Sequence, residues 1–317
     1  MKEIDVLTLG ETMVSFSPTS AGRLRYAHTY GMMTAGAEGN VAIGLARLGY
    51  HAVWLSRLGK DEFGSYIFRT YRADGVDVSC VQFSEQEPTG VMFKQVLHGK
   101  ETSVFYYRKG SAASKMCFEN MDLSPLKNTK IVHLSGVTSA LSESCRILNS
   151  TLARKKTEYG YLLSFDPNLR FKLWSRELAK KTLTEMLNYS DIVCLGEEEA
   201  KFLLDEYDEH TIIQKLRDMG VSYISIKKGA KGSTVADLKN IFHIPPQPAT
   251  LVDSIGAGDA FQAGFLAGII ENRPVDECGF WGSILGAQAV STMDDVGGLP
   301  DRELFELLRK NGTEVFR

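Results

Sequence analysis

At residues 253–261 the chain reads Asp253-Ser254-Ile255-Gly256-Ala257-Gly258-Asp259-Ala260-Phe261, with two glycines directly before a long apolar run. The run at residues 257–271 predicts a helix that begins at these glycines. Backbone N–H groups at a helix start form an anion-binding site, and glycine lets a phosphate approach the backbone. The stretch therefore indicates a phosphate-binding turn at the N-terminus of a helix.

Two common phosphate-binding motifs do not fit this turn. Phe261 stands where the dinucleotide fingerprint has its third glycine, and the Lys-Ser/Thr pair of a P-loop is missing. Asp259 is unexpected beside a phosphate, because a carboxylate repels that ligand. It either favours the helix N-terminus or acts as a base that deprotonates an alcohol beside a transferring phosphoryl group. Spacing alone leaves both interpretations open.

On both sides of a central interruption, strand-like and helix-like segments alternate along the chain. The predicted strands are residues 4–9, 51–58, 131–134, 161–165, 192–195 and 223–226, with a hairpin at 234–237 and 241–244. The predicted helices are residues 37–48, 62–74, 143–155, 178–187, 197–204, 211–219, 257–271, 277–293 and 301–310. This alternation is typical of a parallel sheet with crossover helices.

The interruption is a pair of strand-like runs at residues 89–97 and 103–108, joined by His98-Gly99-Lys100-Glu101. Such a run-turn-run pattern predicts a hairpin. Together with residues 13–17 and 23–29 it predicts a small separate sheet, at about residues 12–35 and 88–110. Its mixed polar and aromatic faces fit a lid over a site, a dimer surface, or both. No interdomain linker is visible, so residues 1–317 are interpreted as a single domain.

Composition excludes several classes of protein. The 317 residues carry a net charge of −3 with no basic excess, which gives no indication of a nucleic-acid partner. The apolar stretch at residues 260–270 is too short for a membrane span, and residues 1–10 do not form a signal peptide. The five cysteines form no CxxC pair, which favours a reducing compartment. We therefore expect a cytoplasmic protein with no membrane or nucleic-acid partner.

Residues 253–259 resemble the second signature of the ribokinase-like (PfkB) carbohydrate kinases, Asp-Thr-x-Gly-Ala-Gly-Asp, with Ser254 in place of the threonine. Residues 36–42 with 46–49, residues 59–64 and residues 166–170 are similar to further motifs of that family. The four motifs occur in the family's order and extend the resemblance over nearly the whole chain. It implies an α/β fold, a ribokinase-like three-layer sandwich with a central mostly parallel sheet and a small β lid.

The resemblance also implies roles in phosphoryl transfer. Asp259 would take the proton from the substrate hydroxyl, while backbone N–H groups of Gly256, Ala257 and Gly258 hold the charge on the transferred group. Gly36 and Asn40 would contact sugar hydroxyls near the lid. The nucleotide is expected at Lys227, Gly229, Gly232, Gly256, Gly258 and Ser283. A plain turn between strands is the alternative for the loop that contains Gly229 and Gly232. ATP and Mg²⁺ are the implied cofactors, and a monovalent cation such as K⁺ is compatible with the family.

One position departs from the family pattern. The family usually has Asn-x-x-Glu after the strand predicted at residues 192–195, whereas this chain has Gly196-Glu197-Glu198-Glu199. Glu199 keeps the glutamate position, which is expected to act on Mg²⁺ through water, and Mg²⁺ commonly retains several waters. The alternative, acidic residues that favour a helix start, applies best to Glu197 and Glu198.

The substrate is indicated by residues 103–112, Ser-Val-Phe-Tyr-Tyr-Arg-Lys-Gly-Ser-Ala. Among these kinases the segment is most similar to the lid of the 2-keto-3-deoxygluconate kinases, whose substrate is a sugar acid. The guanidinium of Arg108 offers a fork of donors that suits a carboxylate. Tyr106 is expected at the substrate, Arg170 would add a second positive charge, and Asp295 stands where these kinases place a carboxylate toward the substrate.

Each of these substrate residues has an alternative interpretation. Tyr106 and Tyr107 can be sheet-packing residues, and strand alternation lets only one of them face a pocket. Arg108 can be a surface cation. Fructose is the alternative substrate, since related fructokinases carry Arg and Tyr near this point. A sugar-binding or regulatory protein on a kinase fold is the alternative from another class, favoured only by the missing asparagine at 196. Family members often dimerise through the lid, so a homodimer is expected.

Overall fold

Fourteen strands are present in the computed structural model, which describes residues 2–95, 97 and 102–314, with side chains as far as residue 310. They are β1 (Ile4–Leu9), β2 (Met13–Pro18), β3 (Tyr30–Ala35), β4 (Ala52–Leu55), β5 (Arg57–Gly59), β6 (Gln82–Ser84), β7 (Val91–Gln95), β8 (Ser103–Tyr107), β9 (Thr129–Ser135), β10 (Leu162–Asp166), β11 (Ile192–Gly196), β12 (Tyr223–Lys227), β13 (Ser233–Ala236) and β14 (Ile241–Ile244).

Ten α-helices occur in the same described ranges. They are α1 (Ala37–Arg47), α2 (Glu62–Ala73), α3 (Gly136–Leu141), α4 (Glu143–Tyr159), α5 (Arg176–Leu187), α6 (Glu197–Leu204), α7 (Glu209–Asp218), α8 (Ala257–Ile270), α9 (Val275–Ala289) and α10 (Arg302–Glu314). The Asp61 carboxylate accepts a hydrogen bond from the Gly64 N–H (2.7 Å) and so caps the N-terminus of α2. Within the described residues, no helix combines the length and apolar character needed to cross a membrane.

A central eight-stranded sheet has the order β14-β13-β12-β11-β10-β9-β1-β4. The strands from β12 to β4 run parallel, while β13 and β14 form an antiparallel edge. The parallel strands consist mainly of buried apolar residues because helices cover both faces of the sheet. The three-layer arrangement with a mostly parallel sheet is thus confirmed.

The two helical layers pack through separate hydrophobic clusters. One cluster joins the sheet to α1, α2, α8, α9 and α10 and includes the buried residues Trp54 and Phe265. The other joins the opposite face to α4, α5, α6 and α7 and includes Leu148 and Phe165. These layers hold the carboxyl ends of the parallel strands at one edge, where α/β sheets commonly bind ligands.

A second sheet of order β3-β2-β7-β8, referred to below as the lid, lies beside that edge. The predicted hairpin is present, since β7 and β8 pair antiparallel with Phe93 opposite Phe105. Its predicted turn at residues 98–101 lies outside the described residues. The strand predicted at residues 23–29 is wrong, because Leu24–Tyr26 is a 3-10 turn. The fourth strand is Tyr30–Ala35, which the pairing with β2 stabilises although most of its residues are only partly buried.

The strand predicted at residues 51–58 is also divided in the structure. β4 belongs to the central sheet, whereas β5 pairs in parallel with β6 in a separate two-stranded sheet. The hydrophobic pattern runs through both segments and gave no sign of this change of partner. The chain between β5 and β7 includes α2, whose Tyr66 hydroxyl donates a hydrogen bond to the Met32 backbone oxygen of the lid strand β3.

Candidate active site

A cleft of about 360 Å³ lies between the lid and the carboxyl edge of the central sheet. The predicted site residues that line it are Gly36, Asn40, Tyr106, Arg108, Arg170, Glu199, Lys227, Gly256, Gly258, Asp259 and Asp295. Segments more than 200 residues apart therefore meet in one place. Three elements contribute to its walls: the lid, the ends of the parallel strands, and the start of α8.

The predicted turn at the start of α8 has the geometry that its glycines allow. Gly256 is the N-cap residue and has a left-handed conformation with φ of +84°. A Cβ atom at this position would lie 2.7 Å from the backbone oxygen of Asp295, so only glycine fits. The first N–H groups of a helix have no intrahelical acceptor. That of Ala257 points to the Ser254 oxygen at a long 3.4 Å, which leaves this turn suited to an anion.

Asp259 lies in the first turn of α8 and faces the cleft. Its Oδ2 accepts a hydrogen bond from Asn40 Nδ2 at 2.8 Å, whereas the N-cap position belongs to Gly256. Burial, with the nearby charges of Asp166 and Asp295, raises the pKa of Asp259 to about 7 against the opposing effects of Asn40 and Lys227. A carboxyl with this pKa is suited to proton transfer near neutral pH. The amide oxygen of Asn40 is buried without a hydrogen-bond partner among the described residues.

A positively charged lysine side chain lies next to the same turn. Lys227, the last residue of β12, places its Nζ 2.7 Å from Asp166 Oδ2. Burial disfavours the ammonium, but the Asp166 carboxylate outweighs it and raises the pKa of Lys227 above its ordinary value. A Cβ atom on Gly258 would lie 3.4 Å from this Nζ. The lysine therefore remains charged beside the predicted phosphate position.

The carboxyl ends of β10 and β11 supply oxygen atoms to the cleft. Asp166 Oδ1 accepts from the Asn168 N–H (2.9 Å), and the buried Asn168 side-chain oxygen has no hydrogen-bond partner in the described part of the chain. Glu199 accepts backbone hydrogen bonds from Leu169 (2.6 Å) and Gly196 (2.7 Å). Glu199 thus holds the start of α6 in place and also lines the cleft, so its two interpretations are compatible.

This set of oxygen donors fits Mg²⁺ bound through water. In the described residues no group of three or more His, Cys, Asp or Glu side chains is arranged to hold a metal directly. Mg²⁺ commonly keeps several waters and uses one or two carboxylates together with substrate phosphates. The Asp166 and Glu199 carboxylates and the unpartnered Asn168 oxygen match that requirement.

On the lid side, Arg108 is buried and paired. Its Nε lies 2.5 Å from Glu11 Oε2, and Ser111 Oγ donates to the other Glu11 oxygen. The interpretation of Arg108 as a surface cation is therefore wrong. The guanidinium also lies 5.5 Å from the ring centre of Tyr106. Tyr106 lines the cleft, whereas Tyr107 is 67% exposed, so only one of the two tyrosines faces the pocket.

The remaining predicted residues occupy different surroundings. Asp295 lines the cleft, and its Oδ1 lies 2.7 Å from the buried Lys94 Nζ. Arg170 is exposed at the mouth of the cleft. Four predicted residues do not line the described cleft: Ala257, Gly229, Gly232 and Ser283. Gly229 begins a 3-10 turn between β12 and β13, and Ser283 is buried in α9, so a nucleotide role for these two stays a prediction.

The predicted site residues did not include Glu11, Asp166 and Asn168, which line the cleft, or the buried Lys94, which pairs with Asp295. Glu11, Asp166 and Asn168 each follow a correctly predicted strand at its carboxyl end, which is a usable signal for a ligand position. Lys94 gave no such signal, because it stands at an interior position of a strand.

Comparisons with known proteins agree with this geometry. Residues 3–302 match the model of the pfkB family carbohydrate kinases. A 2-dehydro-3-deoxygluconokinase of Bacillus subtilis (strain 168) is 32% identical over 304 residues, which cover 95% of this chain and 94% of that protein. One from Thermoproteus tenax is 31% identical, covering 96% and 94%. The probable fructokinase-7 of Arabidopsis thaliana is 29% identical, covering 93% and 88%.

Solved structures with the same fold include a PfkB protein from Polaromonas sp. JS666. It is 34% identical, with a TM-score of 0.88 over 96% of this chain and 99% of that one. A putative ribokinase II of E. coli in complex with ATP and Mg²⁺ has a TM-score of 0.90 at 24% identity, covering 97% and 99%. The second likeness concerns the fold alone.

Proposed function

The chain belongs to the pfkB family of carbohydrate kinases, and on that premise we propose that it phosphorylates 2-keto-3-deoxygluconate with ATP to give the 6-phosphate. The observation that supports this choice of substrate is the buried Arg108, which pairs with Glu11 and lines the cleft beside Tyr106. A guanidinium suits a carboxylate, which a sugar acid has and a neutral hexose lacks. The similarity to two 2-dehydro-3-deoxygluconokinases, a synonym for the same activity, supports this assignment.

We assign the proton transfer to Asp259. Its carboxylate would accept the proton of the attacking hydroxyl, and the hydrogen bond from Asn40 orients it for that step. The free amide oxygen of Asn40 would accept a hydrogen bond from a second sugar hydroxyl. Gly36 and the free oxygen of Asp295 would border the same sugar.

We assign the phosphoryl group to the start of α8. Backbone N–H groups of Gly256, Ala257 and Gly258, together with the Lys227 ammonium, would stabilise the negative charge that the transferred group carries. Bound Mg²⁺ would neutralise charge on the nucleotide phosphates. Asp166, Asn168 and Glu199 would hold its water ligands. The exposed Arg170 would add positive charge at the mouth of the cleft.

A second copy of this chain is the proposed partner of the lid. Its outer face carries stacked aromatic rings, Phe16 with Phe93 at 5.1 Å, and a Tyr107 ring against Phe93 at 5.8 Å. Phe105 and Tyr107 are 46% and 67% exposed. Contiguous exposed apolar groups of this kind commonly mark an interface, and twofold dimers are the commonest oligomers. Replacing Tyr107 with Glu should shift the mass measured by light scattering from dimer to monomer, and an unchanged monomer in both proteins would reject the dimer.

The cytoplasmic location stays a prediction, which the five free cysteines support. Fructose remains the alternative substrate, since a probable fructokinase is 29% identical. A binding protein without turnover is less well supported, because Asp259 and the glycine turn at residues 256–258 are intact and Asp259 lines the cleft.

A coupled assay of ADP release on a panel of sugars tests the proposal. The panel comprises 2-keto-3-deoxygluconate, a 5-keto sugar acid, fructose and ribose, each with ATP and Mg²⁺. The highest kcat/KM is expected for 2-keto-3-deoxygluconate. Preference for fructose would establish the alternative substrate, and no turnover on any sugar would favour the binding protein.

A further inference from the structure

Lys94 is a fully buried lysine on the inner face of the lid. Its side chain is 1% exposed, and Nζ lies 2.7 Å from Asp295 Oδ1 and 3.2 Å from Asp253 Oδ2. The Met293 backbone oxygen is a third acceptor at 3.5 Å. The ammonium therefore sits among three oxygen atoms that come from two segments outside the lid.

Both carboxylates belong to segments that shape the phosphate-binding turn. Asp253 stands three residues before Gly256, and its Oδ1 accepts a hydrogen bond from the Ile255 N–H at 3.2 Å. The backbone oxygen of Asp295 packs against Gly256, since it would lie 2.7 Å from a Cβ atom placed on that glycine. The Lys94 ammonium therefore contacts one residue that precedes this turn in the chain and one that packs against the turn.

The charges in this cluster make the lysine necessary. Two carboxylates that share a buried site repel each other, and the removal of one partner from a buried ion pair leaves an uncompensated charge. Without the ammonium, Asp253 and Asp295 would separate or take up a proton. Either change would move the backbone around Gly256, where the N–H groups must point at one position.

We propose that Lys94 is a positioning residue for phosphoryl transfer, a cation carried by the lid that holds the phosphate-binding turn in its working shape. This inference rests on the proposed function of the same site. It ties the lid to the catalytic turn, so that the turn is complete only while β7 lies against it. Because the chain itself supplies the positive charge at these oxygens, the wild-type enzyme should not need added K⁺ there.

The first test compares Lys94→Met with Lys109→Met, which replaces an exposed lysine just after β8. A displaced turn no longer directs its N–H groups at the developing charge. Loss of one such donor typically costs about 10²–10³-fold in kcat, so kcat of Lys94→Met should fall by about 10²-fold. The KM for the sugar should rise by a smaller factor than kcat falls, because Asp295 loses its partner while the other proposed sugar contacts remain. Lys109→Met should match the wild type. A folded Lys94→Met that keeps its kcat would overturn the proposal, as would a change confined to the sugar KM.

Chemical rescue separates positioning from lost packing. In Lys94→Ala, the vacated oxygen cluster can take a small cation, so methylammonium or K⁺ should restore at least part of the lost kcat. Tetramethylammonium at equal ionic strength should not, since it is too large and donates no hydrogen bond. Equal effects of all three salts would contradict a specific cation position.

Hydrogen exchange gives a readout that needs no sugar. Backbone amides at residues 253–258 should exchange faster in Lys94→Met than in wild type, while the core strands stay protected. If Lys94→Met does not fold, the double variant Lys94→Met/Asp253→Asn takes its place in the kinetic and hydrogen-exchange measurements. The double variant removes one charge of each sign from the cluster. Unchanged exchange at 253–258 in a folded variant would reject the inference even if the wild type phosphorylates none of the sugars tested.

Discussion

The two walls of the cleft are built from different parts of the chain. The wall at the start of α8 depends on backbone, with Gly256 at φ of +84° and the first N–H groups of the helix without intrahelical acceptors. The lid wall depends on side chains whose charges are balanced within the protein, Arg108 by Glu11 and Lys94 by Asp253 and Asp295. Backbone N–H groups bind phosphate whatever the sugar is, whereas side chains can differ between relatives. We therefore expect the first wall to govern phosphoryl transfer to any sugar and Arg108 of the lid to govern the choice of substrate, while Lys94 joins the two walls.

The largest effect is expected at Asp259, the proposed proton acceptor of the first wall. Asp259→Asn keeps the shape and the contact with Asn40 but cannot accept a proton at neutral pH. A positioned base contributes about 10²–10⁴-fold, so kcat should fall by at least 10²-fold in the coupled assay. Binding of ATP, measured by calorimetry, should persist, which distinguishes a lost base from a damaged fold. A variant that retained most of its turnover would remove Asp259 from this role.

A smaller loss is expected from the backbone of the same wall. In Gly256→Ala the added Cβ would meet the Asp295 oxygen at 2.7 Å, in a conformation that L-residues rarely adopt. The turn should shift and misplace its N–H groups, which lowers kcat by about 10²–10³-fold for every sugar alike. Loss for one sugar only would show that this wall also takes part in selection.

The pH dependence follows from the raised pKa of Asp259. Because the folded protein holds this proton up to pH about 7, the basic form is lost as the pH falls through that value. The kcat/KM should therefore decline below pH 7, by about tenfold per unit once the group is mostly protonated. Because the pKa is higher in the folded than in the unfolded protein, ionisation of Asp259 lowers the free energy of unfolding of wild type as the pH rises from about 4 to about 7. Asp259→Asn has no such charge, so its thermal stability relative to wild type should increase over this range. A flat profile between pH 5 and 8 would contradict both expectations.

The sequence predicted the first wall better than the second. The Gly-Ala-Gly-Asp stretch before an apolar helix predicts a phosphate-binding turn without further information, because a turn and its N–H groups depend on residues that are neighbours in the chain. The family resemblance implied that Asn40 and Asp259 both act on the substrate, but the hydrogen bond between them joins residues far apart in the chain and was not predicted. Glu11 and Lys94 were not identified, because a buried charge is recognised from its partner, and the partner lies on another element.

The lid also contains a strand that the hydrophobic pattern did not predict. Residues 30–35 include a glycine and remain largely only partly buried, so their strand exists through pairing with β2. The strands of the central sheet, most of them with both faces buried, are rich in apolar residues and were found from that pattern, although the strand predicted at 51–58 merged β4 with β5. Local hydrophobic patterns thus define the core but not the partly exposed sheet that covers the site.

The smallest effect is expected at Glu11 in the lid wall. Glu11→Gln keeps the shape but leaves the Arg108 guanidinium buried without a counter-charge, which typically costs about 3–5 kcal/mol when a buried pair is broken, less here because the amide can still accept a hydrogen bond. The carboxylate of a bound sugar acid should supply the missing charge. In thermal-shift measurements 2-keto-3-deoxygluconate should therefore stabilise this variant more than it stabilises wild type. Equal stabilisation by fructose would show that Arg108 does not meet a carboxylate.

The most direct test of the central claim is the ratio of kcat/KM for 2-keto-3-deoxygluconate to that for fructose, in wild type and in Arg108→Ala. A hydrogen bond to a charged group contributes about 1.5–3 kcal/mol, which corresponds to roughly tenfold to more than a hundredfold in affinity. We predict that the wild type prefers the sugar acid and that Arg108→Ala lowers this ratio by that factor, with Arg108→Lys recovering part of it. A wild type that prefers fructose, or an Arg108→Ala variant that loses both activities equally, would contradict selection of a sugar acid by the lid.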